Sequence, residues 1–191
     1  FLNDDIFLLL PCGLREVKDP TFLCEAVQDL HEKDSRIRLL ILGPALDSSV
    51  AARVHKVCNN SNGVIKYLPR QPRLSLLSYM RDADAVLNTS ISEGMASSIL
   101  EAMSVGTLVI ARDNEGNSSI IRHKENGYLF RTPTEFKEIV KRLFFGFSSN
   151  GKAPRDEVSL LTSQARFDVS RIASPEHERN LYDKILRQLG L

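Results

Sequence analysis

A short polar turn with a glycine, followed by a helical pattern, holds the residues with the clearest chemical potential. Gly94, Met95 and Ala96 lie at the predicted start of a helix over residues 95–105. Backbone amides at such a start have no partner within the helix, and with the helix dipole they form a site for an anion. Gly94 lets a phosphate approach the backbone because it has no Cβ. Glu101 lies two turns along the helix, where a carboxylate can accept both hydroxyls of a ribose whose diphosphate sits at the helix start.

Spacing alone favours a plainer interpretation of the two acids in this segment. Glu93 then caps the helix and Glu101 is an exposed surface charge, because pairs of glutamates are common on helices. The residues by themselves leave both interpretations open.

A second candidate group lies on the loop after the first predicted strand, where Gly13 is followed by Arg15 and Lys18. A pair of cations that faces an anion site at a helix start suits a diphosphate, whose negative charge grows as a sugar leaves. The alternative is a pair of solvated loop charges, which is usual for an Arg and a Lys three residues apart.

Short β-branched or Leu-rich runs alternate with longer amphipathic segments, which is typical of βα units around a parallel sheet. The sequence predicts strands over residues 6–10, 37–42, 64–68, 83–87, 107–111 and 127–130. It predicts helices over 20–33, 48–58, 73–81, 95–105, 135–144, 155–167 and 175–189, and a loop over 114–119. Such sheets bind ligands beyond the carboxyl ends of their strands, which is where the candidate residues lie.

Length, charge and cysteine use limit the class of protein. The 191 residues fit one domain. Lys and Arg number 25 against 24 Asp and Glu, and this near-balance argues against a nucleic-acid partner. The apolar stretches are too short to span a bilayer. Cys12, Cys24 and Cys58 lack metal-ligand spacing, as do the four histidines, so we expect reduced thiols in a cytoplasmic domain and no metal site.

The first residue is Phe1 rather than an initiator Met, and no signal-peptide pattern follows it. We therefore expect a piece of a longer protein, whose targeting signal would lie outside this chain.

Several segments, in the right order, resemble the family-4 glycosyltransferases. Glu93 and Glu101, with seven residues between them and a glycine after the first, reproduce the E-x7-E signature of that family. The segments that follow and match the family are the strand over 106–111, the glycine loop over 114–117 with Ile120-Ile121, and the hairpin over 125–130. With Gly13 upstream and residues 175–189 downstream, the resemblance covers nearly the whole chain.

The resemblance implies a Rossmann-like, doubly wound α/β sheet that forms the C-terminal half of a GT-B fold. It implies a nucleoside-diphosphate sugar as donor, an acceptor of unknown kind, retention of anomeric configuration, and no requirement for a metal or another cofactor. Residues 1–170 would form the nucleotide-sugar-binding domain. Residues 171–191 would form a helix that crosses to an N-terminal domain of the same full-length chain.

The resemblance also assigns roles to single residues. Arg15 and Lys18, after Gly13, would neutralise the donor phosphates and stabilise the leaving diphosphate. Glu93 would contact sugar hydroxyls, and Glu101 would hold the ribose.

Three further positions receive less specific roles. Tyr67 lies where the family contacts the base, although core packing explains a tyrosine there equally well. Gly116 and Asn117 would border the sugar pocket.

Departures from the family pattern keep a second interpretation open. Leu14 separates Gly13 from Arg15, Asp19 stands where the family usually has glycine, and Ser119 replaces a common acidic residue. A non-catalytic nucleotide-sugar-binding or scaffold domain of the same fold is therefore the alternative. A sugar-nucleotide epimerase or a sugar phosphorylase shares the fold, but the E-x7-E match argues against both.

Overall fold

Strands and helices alternate through residues 4–145 and 154–172, which the computed structural model describes. The strands are β1 (Ile6–Pro11), β2 (Ile37–Leu42), β3 (Ile65–Leu68), β4 (Ala85–Asn88), β5 (Leu108–Arg112) and β6 (Tyr128–Phe130). The helices are α1 (Cys24–Lys33), α2 (Ser48–Asn60), α3 (Arg73–Asp82), α4 (Ser97–Val105), α5 (Glu115–Ser118), α6 (Pro133–Phe144) and α7 (Pro154–Ile172). A 3-10 turn over Glu16–Lys18 lies between β1 and α1.

The strands form one parallel sheet in the order β3-β2-β1-β4-β5-β6. The chain starts in the middle of the sheet, extends to one edge through β2 and β3, and then returns to the centre at β4. This order confirms the predicted Rossmann-like, doubly wound α/β fold. At the point where the order reverses, the loops after β1 and β4 lead to opposite faces and leave a crevice at the carboxyl edge.

Both faces of the sheet are covered by helices. Leu8 and Leu10 of β1 join a buried cluster that includes residues of α1, α2 and α6, whereas Leu9 joins a second cluster that includes residues of α3, α4 and α7. Because successive side chains of a strand point to opposite faces, burial of both faces requires continuous apolar runs rather than alternation. This requirement explains the Leu- and Ile-rich composition of the central strands.

Several helices begin where local chemistry favours a start. The Asp47 carboxylate accepts hydrogen bonds from the amides of Ser49 and Val50 at the start of α2. The Thr132 hydroxyl caps α6, whose first residue is Pro133. Both caps satisfy backbone amides that the helix itself leaves unpaired.

The predicted start of the first helix at Pro20 is wrong, because α1 begins at Cys24. Asp19 has φ 43 and ψ 56, a left-handed conformation, whereas a residue that caps a helix start has extended backbone. The predicted loop over 114–119 is also corrected, because it contains α5, which the Asn114 side chain caps.

The last described helix, α7, continues through the expected domain boundary at residue 170 to Ile172. The predicted crossing helix over 175–189 lies outside the described residues. Among the helices of residues 4–145 and 154–172, none is long and apolar enough to cross a membrane.

Leu14 connects the loop after β1 to the loop after β2. Its side chain is completely buried, its amide donates to Pro44 O (2.9 Å), and its carbonyl accepts from the Asp47 amide (3.0 Å). The extra residue between Gly13 and Arg15 is therefore an apolar anchor at the edge of the crevice.

We expect Leu14→Ala to lower the free energy of unfolding by about 2–5 kcal/mol, because it leaves a cavity under the loop. Urea denaturation measures this loss. Val17→Ala, which shortens an exposed apolar side chain three residues away, is the matched control and should change stability by less than about 0.5 kcal/mol. Equal losses in the two variants would contradict the anchoring role of Leu14.

Candidate functional site

The crevice between β1 and β4 brings together one residue from each predicted group, Lys18 and Glu93. Lys18, from the loop after β1, and Glu93, from the loop after β4, line one pocket with Asn88, Ser90 and Ser98. Ser98 belongs to the first turn of α4. The crevice therefore combines a cation, a carboxylate and a helix start at the carboxyl edge of the sheet.

Glu93 is the centre of this group. Its Oε1 accepts from Lys18 Nζ at 2.5 Å, from Ser90 Oγ at 2.7 Å and from Asn88 Nδ2 at 3.4 Å. Burial by itself would raise the pKa of Glu93, but the hydrogen bonds from Lys18 and Ser90 and the charge of Lys18 outweigh it, so the pKa of Glu93 is lowered. Glu93 is therefore an ionised acceptor at neutral pH.

The carboxyl end of β4 supports Glu93 with buried polar residues. Asn88, Thr89 and Ser90 are 5%, 1% and 2% exposed. Asn88 Oδ1 accepts from the Ser90 amide (3.0 Å) and from Asn117 Nδ2 (3.1 Å), which fixes the orientation of the Asn88 amide. Its Nδ2 thereby points at Glu93.

The cation loop, defined as residues 14–19, lies against the same strand end. Thr89 Oγ1 donates to Lys18 O (2.8 Å), and the Ile91 amide donates to Val17 O (2.9 Å). Arg15 is exposed, and within the described part of the chain its side chain has no hydrogen bond or ion pair. The two predicted cations therefore differ, because Lys18 is engaged with Glu93 whereas Arg15 is available to a ligand.

The start of α4 lies two residues beyond its predicted position. The helix begins at Ser97 rather than Met95, and Ala96 occupies the capping position. The Ile99 and Leu100 amides donate to Ala96 O, so the amides of the first helical residues, Ser97 and Ser98, are those that point beyond the helix start. Gly94 and Met95 precede the helix and are exposed.

The geometry leaves room for a ligand next to Gly94. A Cβ built on Gly94 would have no neighbouring atom within 4 Å, so the surrounding protein does not require glycine there. At Gly116 the opposite holds, since a Cβ would lie 2.3 Å from Glu93 O. Gly116 thus lets α5 pack directly against the backbone of Glu93.

Glu101 lies apart from the Glu93 group, on the side of α4 next to α3. Its Oε1 is 3.1 Å from Arg73 Nη2, and the two side chains are 23% and 76% exposed. The two glutamates of the predicted pair therefore have separate cationic partners and different degrees of burial.

Comparison with known proteins identifies the family of this chain. The sequence pattern of the family Glycosyl transferases group 1 matches residues 2–146. The chain is 37% identical over 182 residues to Glycosyltransferase 1 domain-containing protein 1 of Xenopus tropicalis, covering 95% of this chain and 50% of that protein. The chain belongs to the glycosyl transferases group 1.

A second relative supports the same family, and solved structures show the same fold. The putative glycosyltransferase EpsD of Bacillus subtilis is 31% identical over 131 residues, covering 69% of this chain and 34% of EpsD. The crystal structure of Anabaena Alr3699/HepE in complex with UDP superposes with a TM-score of 0.82 at 18% identity, over 97% of this chain and 49% of that one.

The C-terminal domain of the glycosyl transferase group 1 family protein LpcC from Francisella tularensis has a TM-score of 0.68 at 19% identity, over 87% of this chain and 85% of that domain. The group 1 chain thus has the fold of a C-terminal glycosyltransferase domain. It spans half or less of the length of the Xenopus tropicalis and Bacillus subtilis relatives.

Tyr67 and Asn117 of this group 1 chain both have structural hydrogen bonds. Tyr67 Oη donates to Gly43 O (2.9 Å) and fixes the turn after β2. Asn117 is completely buried, and its Nδ2 donates to Asn88 Oδ1 and to Arg112 O (2.9 Å). The side chain of Asn117 is therefore part of the wall behind Glu93, and Gly116 is the residue that contacts Glu93 itself.

Sequence reasoning missed the polar residues that end the central strands. Asn88 follows the apolar run of β4 directly, and Arg112 ends β5. Polar side chains at the carboxyl ends of parallel strands are a recognisable signal. Which loops they contact depends on the strand order, which the sequence pattern alone did not provide.

The lowered pKa of Glu93 predicts a pH dependence of stability with a defined sign. A carboxyl whose pKa is lowered by folding stabilises the protein fully above its unfolded value, here about 4.5, and this stabilisation is lost as pH falls through the folded value. In Lys18→Met the hydrogen bond and the charge are gone while burial remains, so we expect the pKa of Glu93 to rise. The ¹³C shift of the Glu93 carboxyl, followed against pH in both proteins, measures it.

Asp34 is the matched control within the same spectra. A hydrogen bond from Arg36 lowers the pKa of Asp34 despite partial burial, and this pair lies before β2, at the opposite end of the strands from Lys18. Its titration should be the same in both proteins. An unchanged Glu93 titration in Lys18→Met would show that Lys18 does not determine the charge state of Glu93.

Proposed function

We propose that this chain is the donor-binding domain of a glycosyltransferase of the family-4 type. It binds a nucleoside-diphosphate sugar and takes part in transfer of the sugar, with retention of configuration, to an acceptor bound elsewhere. The observation that carries the proposal is the Lys18–Glu93 ion pair, which lies in the crevice between β1 and β4 beside the start of α4.

The diphosphate is assigned to the positive side of the crevice. Arg15 is an exposed guanidinium with no partner among residues 4–145 and 154–172. Lys18 is a partly buried ammonium, and the first amides of α4 add the partial positive charge of the helix start. An ammonium has three donors, so Lys18 can keep one hydrogen bond to Glu93 while it donates another to a phosphate oxygen. As the bond to the sugar breaks, these groups stabilise the charge that develops on the diphosphate. Side chains and amides supply this stabilisation, so the proposal needs no metal.

The sugar and the nucleoside are assigned to acceptor groups on either side of the phosphates. Glu93 is held ionised by Lys18, so its carboxylate can accept hydrogen bonds from sugar hydroxyls. Glu101 accepts from the ribose hydroxyls, with Arg73 as its partner in the free protein. Gly116 borders the sugar behind Glu93, and the backbone near Tyr67 contacts the base.

The acceptor and the facing domain belong to the proposal rather than to the described residues. Because the chain spans 50% of the Xenopus tropicalis relative, we propose that an N-terminal domain closes over the carboxyl edge of the sheet and contributes the acceptor site.

A non-catalytic domain with the same donor specificity is the second candidate. It is favoured by Ser119, whose hydroxyl donates to Gly116 O (2.7 Å) within its own turn instead of presenting an acid to the crevice. Release of sugar from the donor by the complete protein separates the candidates, because a binding domain holds the donor without consuming it.

Calorimetry with UDP-glucose, UDP and uridine tests donor binding, with the ADP and GDP analogues as the panel for the base. We expect Arg15→Ala to weaken binding of the diphosphates by about 1.5–3 kcal/mol, because it removes a charge-assisted contact, and to leave nucleoside binding unchanged. Arg36→Ala is the matched control, because it removes an exposed arginine at the opposite end of the strands. Absence of binding by every diphosphate in the panel would refute the proposed function.

Glu101→Ala should weaken binding of nucleotides and nucleosides alike, by about 1.5–3 kcal/mol, because the ribose hydroxyls lose an ionised acceptor. Arg73→Ala is the control, since it breaks the same ion pair but keeps the acceptor, and it should leave affinity unchanged or raise it. If both variants lose the same affinity, the pair acts through the fold and Glu101 does not contact the ribose.

A further inference from the structure

Asp19, at the end of the cation loop, combines an unusual backbone conformation with an ion pair. Its φ of 43 and ψ of 56 lie in the left-handed region, which costs free energy for most residues with a side chain but is tolerated better by Asp and Asn. Its carboxylate Oδ2 accepts from Arg112 Nη1 at 3.0 Å. Asp19 thus makes a contact that glycine, the residue best suited to this backbone conformation, cannot make.

Arg112 is held in place by further contacts. Its Cζ lies 3.9 Å from the centroid of the Phe22 ring, and its Nη1 also approaches Thr89 O at 3.4 Å. The side chains of Arg112 and Asp19 are 23% and 29% exposed. A partly buried guanidinium that lies over an aromatic ring has less freedom to leave its partner than an exposed one.

The ion pair with Arg112 holds Asp19, the residue that follows Lys18 in the chain. The Asp19 amide donates to Glu16 O (3.0 Å), and the Phe22 amide donates to Asp19 O (3.1 Å), so the conformation of Asp19 determines where the 3-10 turn ends. Thr89 contacts both Lys18 and Arg112, since its hydroxyl donates to Lys18 O (2.8 Å) and its carbonyl faces Arg112. The ends of β4 and β5 thereby hold the backbone from which the Lys18 side chain reaches Glu93.

We propose that Arg112 is a positioning residue that acts through Asp19 to hold Lys18 in the crevice. The Asp19–Arg112 pair does not touch the donor in this proposal. It fixes the cation loop before the donor arrives, so that Lys18 does not have to be ordered on binding. The consequence for affinity rests on the proposed function, whereas the consequence for the loop does not.

Hydrogen exchange on the ligand-free chain tests the effect on the loop. In Arg112→Gln and in Asp19→Asn we expect the Lys18, Asp19 and Phe22 amides to exchange about fivefold faster, the factor that corresponds to one partly buried ion pair. The double variant should be no faster than either single variant, because both remove the same contact. Arg131→Gln is the matched control, since it breaks the Arg131–Asp113 pair (2.9 Å) and leaves the cation loop alone.

Asp19→Gly separates the ion pair from the backbone conformation. Glycine adopts the left-handed conformation without strain but has no carboxylate. If the pair holds the loop, Asp19→Gly exchanges faster like Arg112→Gln. Exchange at the wild-type rate in Asp19→Gly or in Arg112→Gln would overturn the proposal, because the turn would then be held by its backbone alone.

Binding of UDP and uridine to the same variants tests the consequence for the donor. We expect Arg112→Gln to weaken UDP about fivefold and to leave uridine unchanged, because only the diphosphate depends on Lys18. Equal loss for both ligands, or none for UDP, would overturn the positioning role. Failure of the wild-type chain to bind UDP or any other diphosphate would instead refute the proposed function, and the exchange measurements would still decide whether the pair holds the loop.

Discussion

The site depends on one constraint, which is that the polar residues at the buried end of β4 must be hydrogen-bonded. A polar group removed from water without a partner costs about 1–3 kcal/mol, and Asn88, Thr89 and Ser90 are all buried. Their partners come from other loops: Ser90 O accepts from Asn114 Nδ2, Asn88 Oδ1 accepts from Asn117 Nδ2, and Thr89 Oγ1 donates to the cation loop. Hydrogen bonding of this one short segment thus fixes two loops around the crevice, the cation loop and the loop after β5 that contains α5.

Partly buried charged side chains at the crevice are also paired. Glu93 stays ionised in a partly buried position because Lys18 compensates the cost of removing its charge from water. Asp19 and Arg112 form a second partly buried ion pair, between the loop after β1 and the end of β5. Only Arg15 among the candidate cations extends into solvent without a partner in the described residues. In the proposed complex, a phosphate would therefore meet Arg15, which has no partner in the described residues, and Lys18, which is already held in place.

The sequence predicted the strands and helices well, but it predicted the ends of these elements and the loops between them less well. The apolar runs located all six strands, because burial of both faces leaves a strong signal. The predicted helix starts at Pro20 and Met95 were misplaced by a few residues, since the left-handed turn at Asp19 and the tight entry into α4 depend on contacts from other strands. For the same reason Asn88 and Arg112 were missed. Partners that meet only through strand order are not visible in local patterns.

The two glutamates with seven residues between them differ in how firmly the structure holds them. Glu93 precedes α4 and is fixed by three donors, so moving it would break a partly buried network. Glu101 lies on the helix and is paired with an exposed Arg73, and such surface pairs contribute about 0–1 kcal/mol. Exchange of Arg73 for a pair of ribose hydroxyls therefore costs little. For the proposed donor, Glu93 is held by three hydrogen bonds where the sugar and phosphates would react. Glu101 can change its partner where the nucleoside would be bound.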